Sequence, residues 1–176
     1  MASDLLAHFR RLAAYNRLAN ERLYAACARL SDDQRRQDLD AFFGTIHGTL
    51  NHIMVGDRIW MARFAGETVP STGLDAILYD DFAALTAARA EEDARIEGFF
   101  AGADEAFLDG SIAYVNNAGL AFDDVLAVLV PHFFNHQTHH RGQVHAMITR
   151  LDRSLAPVLD MHRVLIPQPG QSADRP

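Results

Sequence analysis

Apolar residues recur at steps of three and four along four long stretches of the chain, the spacing by which a helix turns one face to a core. From Ser3 to about Leu30, Leu5, Phe9, Leu12, Asn16, Ala19, Leu23, Ala26 and Leu30 form such a stripe, with Ser3 or Asp4 available as N-cap. Asn16 interrupts it and Asn20 lies one turn on; an inward Asn most simply fixes register or bonds a neighbouring helix, and support of a metal site is the lesser reading. After the polar connection 31–38, Phe43, Ile46, Leu50, Ile53, Asp57, Trp60 and Phe64 set out a second helix of about 25 residues. Asp57 on that stripe, if buried, requires a cation or hydrogen-bond donors, an Arg from a facing helix such as Arg141 for example; the alternative is that this end of the helix is wet.

Residues 67–79, with Pro70 and Gly73, make a connection long enough to cross from one end of a bundle to the other. A third helix is predicted over about Asp80–Ala101, where the run Glu91-Glu92-Asp93 reads as a solvated face. Short alternation at Ile112-Ala113-Tyr114, then the turn-forming Asn116-Asn117-Ala118-Gly119, predicts a small hairpin within 104–122. The fourth helix spans about Phe122–Leu151, with Pro131 expected to kink or open it. Beyond it come a short apolar segment, Val158–Ile166, and the polar stretch 167–176, which has no material for a core. The pattern is that of an all-α four-helix bundle with one long crossover, a single domain over 1–176 with its core in about 3–152 and a C-terminal extension over 153–176.

Charge and composition narrow the function classes. The formal net charge is −7, from 16 basic and 23 acidic residues, and the arginines are scattered among acids. Nucleic acid is therefore not the expected partner, since phosphate binding draws on clustered positive charge. No run approaches membrane-spanning length and the N-terminus lacks the apolar region of a signal peptide, so a cytoplasmic protein is expected. The lone Cys27 can form no internal disulfide.

The chemistry concentrates in Asn135-His136-Gln137-Thr138-His139-His140-Arg141-Gly142-Gln143. Four of nine histidines (132, 136, 139 and 140) fall within nine residues of one helix, and His136 and His140 lie on its inward stripe, ~6 Å apart at their bases. Buried imidazoles need partners, and a metal ion is the natural one. His52, on a strip of the second helix with Thr45, Thr49, Gly56 and Ile59, can supply a third nitrogen from across the core, whereas His47 points away. Three neutral imidazoles leave open positions on the ion, as catalytic sites do. His132 could replace His140, His139 is rotated ~60° off the pair, and Gln143 is placed to bond a ligating ring or a bound water. For His8, His47, His145 and His162, packing or solvation is the better reading. No general base stands out; His139, Gln143 and Asp57 are the nearest candidates.

Three segments carry a resemblance. Ala14-Tyr15-Asn16-Arg17-Leu18-Ala19-Asn20-Glu21-Arg22-Leu23, then 49–60 (Thr-Leu-Asn-His-Ile-Met-Val-Gly-Asp-Arg-Ile-Trp), and the 135–143 segment with its His-His-Arg-Gly-Gln signature resemble the DinB/YfiT-like family, over about residues 5–151. That family consists of damage-inducible-type four-helix bundles, unrelated to the DNA polymerase of similar name. The resemblance implies that His52, His136 and His140 bind a divalent metal ion, nickel or zinc, and that the chain forms a homodimer. It also implies a metal-dependent enzyme acting on a small-molecule substrate: some relatives are S-transferases or isomerases that use a low-molecular-weight thiol, and others carry hydrolase assignments. The alternative is a non-catalytic metal-binding or dimerisation module of a stress response. Many relatives carry Trp where Leu18 stands, a difference that alters packing more than the metal site.

Overall fold

In the computed structural model, which describes residues 2–116 and 118–166, four long helices enclose the core: α1 (Ala2–Ala28), α3 (Ile46–Ala65), α4 (Phe82–Gly102) and α6 (Leu126–Leu151). Each of α1 and α3 packs against both α4 and α6, which puts α1 diagonal to α3. Between α1 and α3 lies the one-and-a-half-turn helix α2 (Asp32–Arg36), started by a capping box in which Ser31 and Gln34 bond each other's backbone. A short helix α5 (Glu105–Leu108) and an antiparallel hairpin, β1 (Ser111–Val115) with β2 (Ala121–Val125), join α4 to α6. After α6 a strap leads to the short helix α7 (Met161–Leu165). Asn117 of the expected turn and the polar stretch 167–176 lie outside the described residues.

The core is two apolar halves with a polar layer between them. One half holds Leu23, Leu50, Ile53, Leu85 and Ile148; the other holds Phe9, Met61, Phe64, Ile96, Phe100 and Phe133. This division orients the helices: α1 and α6 run from the phenylalanine-rich half toward the other, while α3 and α4 both run the opposite way. Two consecutive helices pointing the same way require the chain to return along the bundle, and residues 66–81 do so, as the crossover expected from sequence. Gly66, with φ 67°, closes α3 in the left-handed conformation that a residue with a Cβ adopts only at a cost.

The polar layer overturns two expectations. Glu92 and Asp93 are not a solvated face: they are 6% and 2% exposed, and only Glu91 of that run faces outward. Asp93 accepts from the Asn16 and Asn20 amides, at 3.0 and 2.9 Å, and pairs with Arg89 at 3.0 Å. Asp57, fully buried, is partnered not by Arg141 but by Arg89 at 2.6 Å and by the Gln137 amide at 3.0 Å. Arg141 instead donates to Asn16 and Thr138 and stacks over Tyr15. The layer thus ties all four helices by charge-assisted bonds at mid-height, and gives Asn16 the helix-bonding role its position suggested.

Element boundaries differ where local chemistry outweighs periodicity. The first helix already includes Ser3 and Asp4, so neither is its cap, and Leu6 rather than the 39%-exposed Leu5 enters the core. Phe43 lies ahead of α3, whose N-cap is Thr45 bonding the Gly48 N–H. Phe122 belongs to β2, and α6 begins only at Leu126. The sixth helix continues through Pro131, whose missing N–H falls in the second turn and frees only the carbonyl of Ala127. The C-terminal extension is tied down as far as α7: Tyr15 donates to the Leu159 carbonyl at 2.7 Å, and Val164 packs on Tyr15 and Ala19.

Candidate metal centre

His52 is carried at mid-length of α3, and His136 and His140 one turn apart on α6, the two helices being direct neighbours. Their ring nitrogens gather at one point, the ligand atoms all within 4.8 Å of one another. His52 Nε2 lies 3.1 Å from His136 Nε2 and 3.2 Å from His140 Nε2. Two nitrogens each ~2.05 Å from one ion stand ~3.3 Å apart at the tetrahedral angle and ~2.9 Å apart at 90°, so these separations fit a shared divalent ion.

The outer nitrogens show which side of each ring faces inward. His52 Nδ1 donates to the Leu74 carbonyl at 2.7 Å, and His140 Nδ1 donates to the Gln143 side-chain oxygen at 2.8 Å. Each bond keeps the proton on Nδ1 and leaves Nε2 as a lone pair aimed at the centre. The Gln143 amide nitrogen in turn lies 3.2 Å from His139 Nε2, and orients the carboxamide so that its oxygen meets His140. Burial is the main force lowering the pKa of all three rings, to about 3 for His136 and about 4 for His140, where neighbouring imidazoles add to the effect, while the Leu74 carbonyl and Asp57 partly offset it at His52; the rings are neutral at pH 7. The His52 and His140 lone pairs, 3.2 Å apart with no proton between them, repel, and a cation is the partner that reverses the sign.

Walls of the site come from Phe43 and Gly56, which the helical pattern placed on α3's stripe and on the His52 strip without giving either a part in the site. The Phe43 ring stacks on His52 with centroids 3.8 Å apart and meets His140 edge-on at 5.7 Å. Gly56, one turn after His52, faces His136 so closely that a Cβ there would stand 2.7 Å from His136 Cε1. Gly56→Ala is therefore expected to push His136 off the centre and weaken divalent-ion affinity by ~10- to 100-fold. The overpacking itself would cost about 1–3 kcal/mol. Calorimetric titration with zinc and nickel, beside a denaturant melt, checks both; unchanged affinity would mean the ring relocates without consequence.

The other sequence candidates fall outside the cluster. His132 is exposed and rests edge-on against Trp60 with centroids 5.4 Å apart, and His139 is exposed beside Gln143. His47 is buried on the far side of α3, bonded to the Tyr79 carbonyl at 2.9 Å, and His145 meets the Pro157 carbonyl at 3.1 Å. Asp57, considered as a base, is committed to Arg89 and Gln137. The Gly56 position could be read from sequence as the small residue on the His52 strip. The Leu74 carbonyl could not, because a backbone acceptor leaves no trace in residue type.

Fold and site together define a helical bundle with an inward-facing three-histidine group able to hold a metal ion. Comparison with known proteins narrows this class. The model of the DinB family matches residues 1–157, and the chain belongs to that family. It is 26% identical over 157 residues, 84% of this chain and 88% of the relative, to Protein DinB of Bacillus subtilis (strain 168). No solved structure matches the chain significantly. Among the described residues, no helix is long and apolar enough to cross a membrane.

Proposed function

We propose that the chain binds one divalent ion, nickel or zinc, through the Nε2 atoms of His52, His136 and His140, and uses it as a metal-dependent enzyme on a small-molecule substrate. The observation that carries this reading is the convergence of three Nε2 atoms, two of them bared as lone pairs by Nδ1 bonds to Leu74 and Gln143. When bound, such an ion supplies Lewis acidity toward a thiol, a water or a carbonyl. The chain's own part is to keep the rings neutral, hold two of them in one tautomer and shield one side of the centre with Phe43. His136 is only partly buried, and this favours an enzyme over a module whose ion is sealed in.

Transfer of a low-molecular-weight thiol to an electrophile is the reaction we favour, ahead of hydrolysis, with the protein acting as a homodimer. The test is a thiol-transfer screen of several cellular thiols and electrophiles on protein loaded separately with nickel and zinc. Turnover with one thiol, absent in metal-free protein, is expected. Uniform inactivity with ion stoichiometrically bound would leave a binding module.

A further inference from the structure

On a different face of α6 from the histidine centre, the strap 153–160 arches over the helix and encloses an open cavity of about 950 Å³. Arg141 is set ~100° around the helix from His140, and with Gly142 and Thr138 it forms the cavity's helical wall. Tyr15, Pro157 and Leu159 supply apolar and aromatic surface. The strap is pinned in three places: Tyr15 to the Leu159 carbonyl at 2.7 Å, Arg22 to the Val158 carbonyl at 3.0 Å, and His145 to the Pro157 carbonyl at 3.1 Å. The cavity is therefore held open by the fold and does not depend on a loop's chance position.

Arg141 is 2% exposed, yet it has no carboxylate within ion-pair distance among the described residues. Asp57 and Asp93 attract it from further off, but both are in direct contact with Arg89. Its Nη1 donates to Asn16 and its Nη2 to Thr138 at 3.3 Å, while Nε–H has no acceptor among the described residues and is not among their sealed polar atoms. A second guanidinium, Arg153, stands exposed at the rim with no ion pair among the described residues. Against these two cations the lining offers one carboxylate, the exposed Asp160.

We infer that this cavity is a second ligand site, separate from the histidine centre, which takes an amphipathic organic anion: a carboxylate or phosphate head toward Arg141 and Arg153, and an apolar body along Tyr15, Pro157 and Leu159. A buried guanidinium with a free N–H recognises an anionic head far better than a neutral one. The volume suits a small molecule, in the range of ~300–1,000 Å³ typical of such pockets.

The closing experiment titrates octanoate, octyl phosphate and octanol into the full chain by calorimetry, with and without EDTA. Octanoate and octyl phosphate are expected to saturate one site at least about tenfold more tightly than octanol, with the same affinity in EDTA. An Arg141 variant would disturb the buried layer, so the site is tested elsewhere. A Cβ at Gly142 meets nothing within 4 Å and Gly142 lines the cavity, so Gly142→Leu starts without a clash and narrows the cavity from its helical wall. It is expected to weaken octanoate at least about tenfold without lowering the melting temperature, since leucine favours a helix interior over glycine, and with divalent-ion binding unchanged. Arg153→Gln is expected to weaken both anions about threefold or more, and octanol not at all. Equal affinity for octanol, loss of binding in EDTA, or full binding in Gly142→Leu would each overturn the inference. The EDTA arm separates it from the histidine centre, which can fail to bind metal without affecting this result.

Discussion

Replacing His136 by alanine is expected to abolish stoichiometric binding of zinc and nickel. Two of the three converging nitrogens would remain, and among the described residues no other His, Cys, Asp or Glu joins the group. Loss of even an outer partner of a metal-bound histidine costs ~10- to 100-fold in affinity, so loss of a ligand itself is expected to exceed about 100-fold. Elemental analysis of the purified wild type and variant decides it. If neither holds an equivalent of divalent ion, the centre is a polar core of histidines and the proposed chemistry goes with it.

The same substitution has a signature in the metal-free protein. The His136 pKa is lowered from 6.5 to about 3, and that of His140 to about 4, so below pH 6.5 the unfolded chain binds protons that the folded chain refuses. Stability contributed by these rings is thus present above pH 6.5 and lost as pH falls toward about 3. Asp93, raised to about 6 by burial, acts in the opposite sense, losing stability as pH rises between 3.8 and 6. Comparing variant with wild type cancels the aspartate term. The variant is expected to lose less stability between pH 7 and pH 4, read from denaturant midpoints; parallel curves would show that the ring is solvated in the metal-free state.

Arg89→Ala is expected to cost about 3–5 kcal/mol of folding stability, the usual result of leaving a buried charge without its partner. Arg89 is 2% exposed and stands between two buried carboxylates, 2.6 Å from Asp57 and 3.0 Å from Asp93. Burial raises the pKa of both carboxylates, and Arg89 is the largest counterweight. Without it their ionisation in the fold becomes more costly, so the defect is expected to grow as pH rises from 5 to 8. Equilibrium urea unfolding at both pH values measures this. A loss below about 1 kcal/mol would mean that Asn16, Asn20 and Gln137 satisfy the carboxylates unaided.

Because Asp57 lies one turn and a half beyond His52, and Gln137 directly follows His136, the layer also sets the register of α3 against α6. A register slip of one residue would rotate His52 by ~100° away from the α6 pair.

Much of this was legible in the chain. Three- and four-residue periodicity marks the four long helices because a buried face must recur with the helical turn. It marks the crossover as well, through the long stretch that Pro70 and Gly73 keep from continuing a helix. The same periodicity puts His136 and His140 on one face and separates His52 from His47, since these relations are local to a single helix. Composition pointed the wrong way at Glu92 and Asp93: a run of acids is solvated unless something across the core neutralises it, and no local pattern reveals Arg89 as that partner. The same blindness assigned Asp57 to Arg141.

Sequence by itself therefore determined most of the face that α1, α3 and α6 each turn inward, His136 with His140 and His52 apart from His47 included, because that depends on spacing along one element. Tertiary structure alone decided who meets whom across the bundle. It placed His52 Nε2 against the α6 pair, gave the Leu74 carbonyl to His52, and put Arg89 rather than Arg141 between two carboxylates. Those pairings depend on the relative height and rotation of separate helices, which the summed packing of the whole core fixes and no single stretch of sequence encodes.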